Sequence, residues 1–198
     1  MTIIIPTSIL KEWEAAFNAL SQPRNLVPIP ERDFKITSRC DSSVELYVIP
    51  ETLTALYVVK GGLRLGEGIE IYSAYRSPDL QFKLWIQRVK DIAENNPAFC
   101  LEDCVREAEQ YTASAYHPGL PPHMRGDALD VRLLINGKRA LLVTNPKDYQ
   151  QMRFDYFATI DPTIHANRQR LRELMTAGGF VQYEKEFWHF GLTPIIIK

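Results

Sequence analysis

His123-Met-Arg-Gly126-Asp-Ala128-Leu-Asp130-Val-Arg-Leu-Leu-Ile135-Asn136-Gly137 is the stretch from which the fold can be read. Ala128 to Ile135 is an apolar, branched run that predicts a strand. Asn136-Gly137 is a strong hairpin signal, because both central positions of a tight hairpin turn require positive φ. Arg139 to Val143 is therefore expected to return antiparallel to the first strand.

Further strands are expected at Ser43–Ile49, Ile69–Tyr75, Phe180–Tyr183 and Phe187–Leu192. Helices read from their punctuation. Ser8 can cap a helix carrying Trp13 and Phe17 on one side. Pro50-Glu51 opens another that stops at Gly61-Gly62, and Ser77-Pro78 opens a third that runs to Asn95-Asn96-Pro97. Leu101–Ala113 and His165–Thr176 complete the set, the last ending at Gly178-Gly179. Pro23–Pro30 and His117–Pro122 read as loops. Strands with helices interspersed, joined by hairpins, predict an α+β fold: a central, mainly antiparallel sheet with flanking helices. The expected organisation is a single domain over residues 1–198, with residues 1–42 a possible N-terminal appendage.

The chain has 198 residues, 23 Lys and Arg against 24 Asp and Glu, and a net charge of -1. That balance argues against a nucleic-acid binder, which needs a basic surface to displace counterions. No apolar run reaches the roughly 18 residues that span a bilayer. The N-terminus carries no cationic start before its apolar stretch, so a cytoplasmic location is expected. Cys40, Cys100 and Cys104 have no zinc-finger spacing and read as reduced thiols.

His123 and Asp130 lie seven apart across Gly126, whose conformational freedom could aim both side chains the same way. Asp130 sits in a strand that otherwise looks buried, and a carboxylate there needs a partner, which a metal ion could supply. An ion pair with Arg132 or Arg125 is the alternative. Near the C-terminus, Glu186-Phe-Trp188-His189 places an acid three residues before a second histidine. Zinc hydrolases use three protein ligands and a nearby carboxylate base. His123, Asp130 and His189 with Glu186 make up that inventory, although Glu186 could instead be an exposed strand residue. Arg76 could stabilise an oxyanion or form an ordinary ion pair.

At these residues the chain resembles the VanX-type D-alanyl-D-alanine dipeptidases, within the zinc D,D- and L,D-peptidases of the Hedgehog-like fold. The resemblance rests on Ala74-Tyr-Arg76-Ser, His123-x-x-Gly126-x-Ala128-x-Asp130 and Glu186-x-Trp188-His189. It is extended by Phe154-Asp155, Asn167-Arg168, Leu171, Met175 and Gly179-Phe180. It covers about Ile69 to Leu192, is weaker over Ser43 to Leu65, and is slight in the first forty residues.

The resemblance implies roles for particular residues. His123, Asp130 and His189 would hold Zn2+, and Glu186 would be general base and then acid. Arg76 would stabilise the tetrahedral intermediate. Asp155 would be an inward-facing anchor for the free ammonium of a small D-amino-acid dipeptide. Two departures stand out: Phe187 replaces a family Trp, and Pro121 replaces a Ser, which removes a donor close to the first His. The alternatives are a peptidoglycan L,D- or D,D-carboxypeptidase or endopeptidase on the same scaffold, and an inactive zinc-binding module.

Overall fold

The structure, a computed structural model, describes residues 5–23, 25–37, 45–116, 120–146 and 148–192. The chain divides into two compact units. One comprises Met1–Pro23 and Arg76–Arg125, the other Arg24–Tyr75 and Gly126–Lys198.

The second unit is built on a sheet. β2 (Lys35–Ile36) pairs parallel with β4 (Glu67–Ser73), and β4 pairs antiparallel with β5 (Ala128–Ile135). β5 then pairs antiparallel with β8 (His189–Leu192), and β8 with β7 (Phe180–Gln182). The short β6 (Lys138–Arg139) completes the hairpin with β5. Asn136 at φ 51° and Gly137 at φ 75° supply the two positive angles of that turn. A separate ribbon joins β1 (Val27–Pro28) to β3 (Tyr47–Val48). The expected α+β class and mainly antiparallel sheet are present.

Alternation along the strands sorts the two faces of this sheet. Ile69 and Ile71 of β4 share a core with Leu129, Val131 and Leu133 of β5 and Phe190 of β8. Helices α2 (Pro50–Gly61) and α6 (Pro162–Ala177) contribute Leu56, Val59, Leu171, Leu174 and Met175 to it. Each such side chain contributes roughly 1.5–3 kcal/mol of burial free energy. The residues between them, Glu70, Asp130 and Arg132, project to the opposite face. There Glu70 is fully buried and receives two hydrogen bonds from Arg139, at 2.7 and 3.1 Å. Burial alone would raise its pKa; the Arg139 contacts outweigh that and leave it lowered.

The first unit is helical: α1 (Thr7–Asn18), α3 (Pro78–Asn95), α4 (Leu101–Ala108) and the one-turn α5 (Pro122–Arg125). Ser77 caps α3 as expected, its side chain accepting from the Leu80 N–H at 3.3 Å. Trp13 and Phe17 of α1 pack with Trp85 and Val89 of α3, Cys104 of α4 and Met124 of α5. Trp13 meets Trp85 edge-on at 4.3 Å between ring centroids, an arrangement aromatic quadrupoles favour. The N-terminal helix, expected as part of a possible appendage, shares the core of this unit.

Several boundaries differ from those expected. α1 begins at Thr7 after Pro6, with no side-chain cap, so Ser8 lies inside it. α4 stops at Ala108 instead of Ala113. The Ala108 carbonyl accepts from both Tyr111 and Thr112, and Gln81 of α3 takes the Ala113 carbonyl at 2.9 Å. The His117–Pro122 loop ends in a helical turn carrying His123, and His117 lies outside the described residues. Strands of two and four residues replace the longer runs expected at 139–143 and 187–192, and of the run expected at 43–49 Tyr47–Val48 is strand while residues 43 and 44 lie outside the described residues. Among the described residues, no helix is long and apolar enough to cross a membrane.

Candidate metal centre and active site

The pairing register of β5 and β8 brings two motif residues together. Asp130 stands directly opposite His189, so both side chains leave the same face. His189 Nδ1 lies 3.0 Å from Asp130 Oδ1, and Asp130 is only 3% exposed. Asp130 thus has a histidine beside it, and Arg132, one of the two arginines weighed as its ion-pair partner, lies instead 3.5 Å from Glu70.

The residues ahead of Asp130 explain the small-residue motif. Gly126 has φ +76°, a left-handed conformation that favours glycine. A Cβ there would stand 2.9 Å from Leu26 Cδ2 and 3.2 Å from the Ile49 amide nitrogen. The Gly126 carbonyl accepts from the Ile49 N–H at 3.0 Å and from the Thr52 hydroxyl at 3.1 Å. The start of α2 therefore fixes the entry to β5. Ala128 is fully buried and pairs with Gly191.

Glu186 does not sit in a strand. It occupies a tight turn between β7 and β8, where its N–H bonds the Tyr183 carbonyl and its carbonyl accepts from His189, both at 3.0 Å. The strand begins only at His189 because residues 183–189 close on themselves, with Tyr183 N–H on the His189 carbonyl at 2.9 Å. Glu186 is 8% exposed, a buried carboxylate rather than a surface one.

In the helical unit, His123 is buried on α5. Its carbonyl accepts from the Arg76 N–H at 3.1 Å, which ties the Ala-Tyr-Arg-Ser segment to this histidine. Arg76 itself is half-buried. Pro121 is also buried, and its carbonyl closes the turn of α5 by accepting from Arg125 N–H.

Asp155 is a correction. The expected inward-facing side chain is instead 67% exposed and lies 3.5 Å from Arg153 Nε. Phe154 and Phe157, on either side of it, take the buried positions and turn the carboxylate outward.

In the sequence Arg168 stands out only as part of a resembling stretch. It is fully buried and donates to backbone carbonyls, with no carboxylate at ion-pair distance among the described residues. Burial pushes its pKa down to about 10, which leaves it charged at neutral pH. A signal was available: Ile164, Arg168, Leu171 and Met175 follow helical spacing, so Arg168 falls within the buried stripe of α6.

Within the second unit, Asp130 and His189 form a pair of groups able to hold an ion. Two ligand atoms on a tetrahedral zinc, at about 2.0–2.1 Å from the ion, stand roughly 3.3 Å apart. The Asp130–His189 separation is close to that edge length. An imidazole and a carboxylate are also donors suited to zinc. The residues therefore fit the metal.

A family profile described as D-Ala-D-Ala dipeptidase matches residues 51–195. The chain belongs to that family of metallopeptidases. Its sequence is 30% identical over 128 residues to the D-alanyl-D-alanine dipeptidase of Escherichia coli (strain K12). That match takes in 64% of this chain and 56% of the relative, so the chain spans little more than half the relative's length.

Solved structures share the fold. VanYB in complex with D-alanine-D-alanine aligns with TM-score 0.52 and 19% identity, over 85% of this chain and 82% of its own. A vancomycin-resistance D,D-pentapeptidase VanY in complex with Zn(II) aligns with TM-score 0.51 and 18% identity, over 90% and 89%. An LdcB LD-carboxypeptidase aligns with TM-score 0.50 and 21% identity, over 87% and 69%.

Proposed function

We propose that this chain is a zinc-dependent peptidase that hydrolyses a small D-amino-acid dipeptide, with D-alanyl-D-alanine the first candidate. The observation that carries the reading is the contact between buried Asp130 and half-buried His189, with a buried glutamate three residues before the histidine. Membership of the dipeptidase family supports the same substrate class.

In this reading His123, Asp130 and His189 hold the metal. Bound zinc would supply Lewis acidity, making a water acidic near neutral pH and polarising the scissile carbonyl. Glu186 takes the proton of the attacking water and then delivers it to the departing amine. Arg76 donates to the carbonyl oxygen as negative charge develops there. Its backbone bond to His123 ties the position of that donor to a metal ligand.

Asp155 is assigned the substrate ammonium. An exposed ion pair contributes about 0–1 kcal/mol, so this anchor discriminates weakly between a free and an acylated amine. That exposure favours a second reading, a carboxypeptidase trimming longer wall peptides.

A hydrolysis panel separates the two. Purified, zinc-loaded protein is offered D-Ala-D-Ala, its N-acetylated form, an L,D-dipeptide and a wall pentapeptide. The dipeptidase reading expects the free dipeptide to be turned over fastest. Equal or faster cleavage of the acetylated dipeptide and the pentapeptide establishes the second reading. No cleavage of any member overturns both.

A further inference from the structure

Arg168 on α6 reaches the Glu186 turn through an unbroken set of buried contacts, whereas Arg172 of the same helix touches it from the surface, donating to Glu184 Oε1 at 2.8 Å. Arg168 Nε and Nη2 donate to the Leu142 carbonyl at 2.8 and 2.6 Å. Nη2 also reaches the Gln151 carbonyl at 2.6 Å, and Nη1 reaches those of Arg153 and Phe154 at 2.6 and 3.3 Å. A planar fork of donors can satisfy several fixed acceptors at once, which an ammonium cannot. Three of these carbonyls belong to residues 151–154.

Segment 151–155 in turn grips the Glu186 turn on both sides of the glutamate. Phe154 N–H donates to the Glu184 carbonyl, and Phe187 N–H donates to the Met152 carbonyl, each at 3.0 Å. The guanidinium carbon also lies 4.0 Å from the centre of the Phe187 ring and 4.8 Å from that of Phe157. On the far side, Gln182 Nε2 holds the Phe187 carbonyl at 2.7 Å. Glu186 is thus suspended between two residues whose backbones are fixed by a segment that Arg168 organises.

We propose that Arg168 is a positioning residue that sets the placement of the Glu186 carboxylate. The proposal rests on the reading of Glu186 as the base. The arginine touches neither substrate nor metal; it acts through residues 151–154 and the Phe187 ring. Its charge makes a poor ion-pair element in so buried a place, and no acid among the described residues pairs with it directly. Its use is geometric: one rigid cation fixes four carbonyls, three of them in residues 151–154.

The test uses Arg168→Lys and, because that variant could fail to fold, Phe187→Leu, which removes the ring beneath the guanidinium but leaves its hydrogen bonds. Circular dichroism and zinc content are measured first, then amide hydrogen exchange, then kcat and KM across pH. The expected result is native spectra and wild-type zinc, with exchange at least tenfold faster over residues 151–155 and 183–188 and unchanged in β5. kcat falls about 10- to 100-fold while KM moves less than about threefold.

A folded Arg168→Lys or Phe187→Leu protein with wild-type kcat overturns the proposal. So does faster exchange spread evenly over the unit, the mark of a merely structural role. Glu186→Gln run in parallel separates the two claims, since undiminished turnover there overturns the base assignment itself.

Discussion

Asp130 and His189 face each other across two antiparallel strands, with Oδ1 and Nδ1 3.0 Å apart. Backbone pairing fixes this contact, so it does not depend on loop conformation. A site mounted on paired strands is held more rigidly than one mounted on loops.

Removing either member should therefore remove the metal before it removes the fold. Asp130→Asn and His189→Ala are expected to lower zinc affinity at least 10- to 100-fold. Atomic emission on protein dialysed against trace metal would read about one equivalent for the natural chain and little for either variant. One equivalent in both variants would show that the ion is held elsewhere.

Glu186→Gln keeps the size and hydrogen-bonding capacity of the side chain and removes its basicity. The expectation is a kcat loss of about 10²- to 10⁴-fold, the range for a lost general base. Zinc content should be unchanged and KM nearly so. Steady-state kinetics on D-Ala-D-Ala, paired with metal analysis, would check this.

Gly126→Ala forces a Cβ against Leu26 and the Ile49 backbone at a φ of +76°. Strain and overpacking together should cost about 2–4 kcal/mol. Urea melts should show the midpoint moving down without a change in slope. An unaltered midpoint would mean that the segment between α5 and β5 relaxes freely.

Glu67 lies against Arg170, which donates to it at 2.9 and 2.6 Å. Those hydrogen bonds hold its carboxyl down at about 2, from an ordinary 4.5. Because the folded value is the lower one, the stabilisation is complete above about pH 4.5 and disappears as pH falls toward 2. Glu67→Gln should lose on the order of 1–3 kcal/mol at neutral pH. It should also flatten the fall in thermal midpoint between pH 4.5 and 2.5, which calorimetry across that range would read.

Local signals located much of this architecture. Ser77-Pro78 and Pro50 supply a cap or a fixed φ, Asn136-Gly137 tolerates the positive φ of its turn, and those boundaries fall where expected. α4 is different, since its end depends on Gln81 of another helix capturing the Ala113 carbonyl. No local pattern contains that contact. The Glu186 turn escaped for a related reason: its apolar residues fill a buried turn, and alternation cannot separate that from a strand.

The candidate site divides the same way. His123, Asp130, Glu186 and His189 could be singled out as chemically unusual residues within apolar surroundings. The exposure of Asp155 could not be foreseen, because Phe154 and Phe157 decide it by taking the core positions on either side. Arg168 was open to detection in the helical stripe, but a cation in that place invites the assumption of solvent.

β5 carries Leu129, Val131 and Leu133 into the core and Asp130 and Arg132 out of it. Foundation and reagent therefore share one reading frame. Losing a single codon before residue 129 would exchange them, driving a carboxylate and a guanidinium into the hydrophobic interior. Insertions and deletions should be tolerated in the flanking turns and eliminated within this strand. Lineages are then free to explore new substrates through segments such as 151–155, while the strand beneath them changes only by substitution.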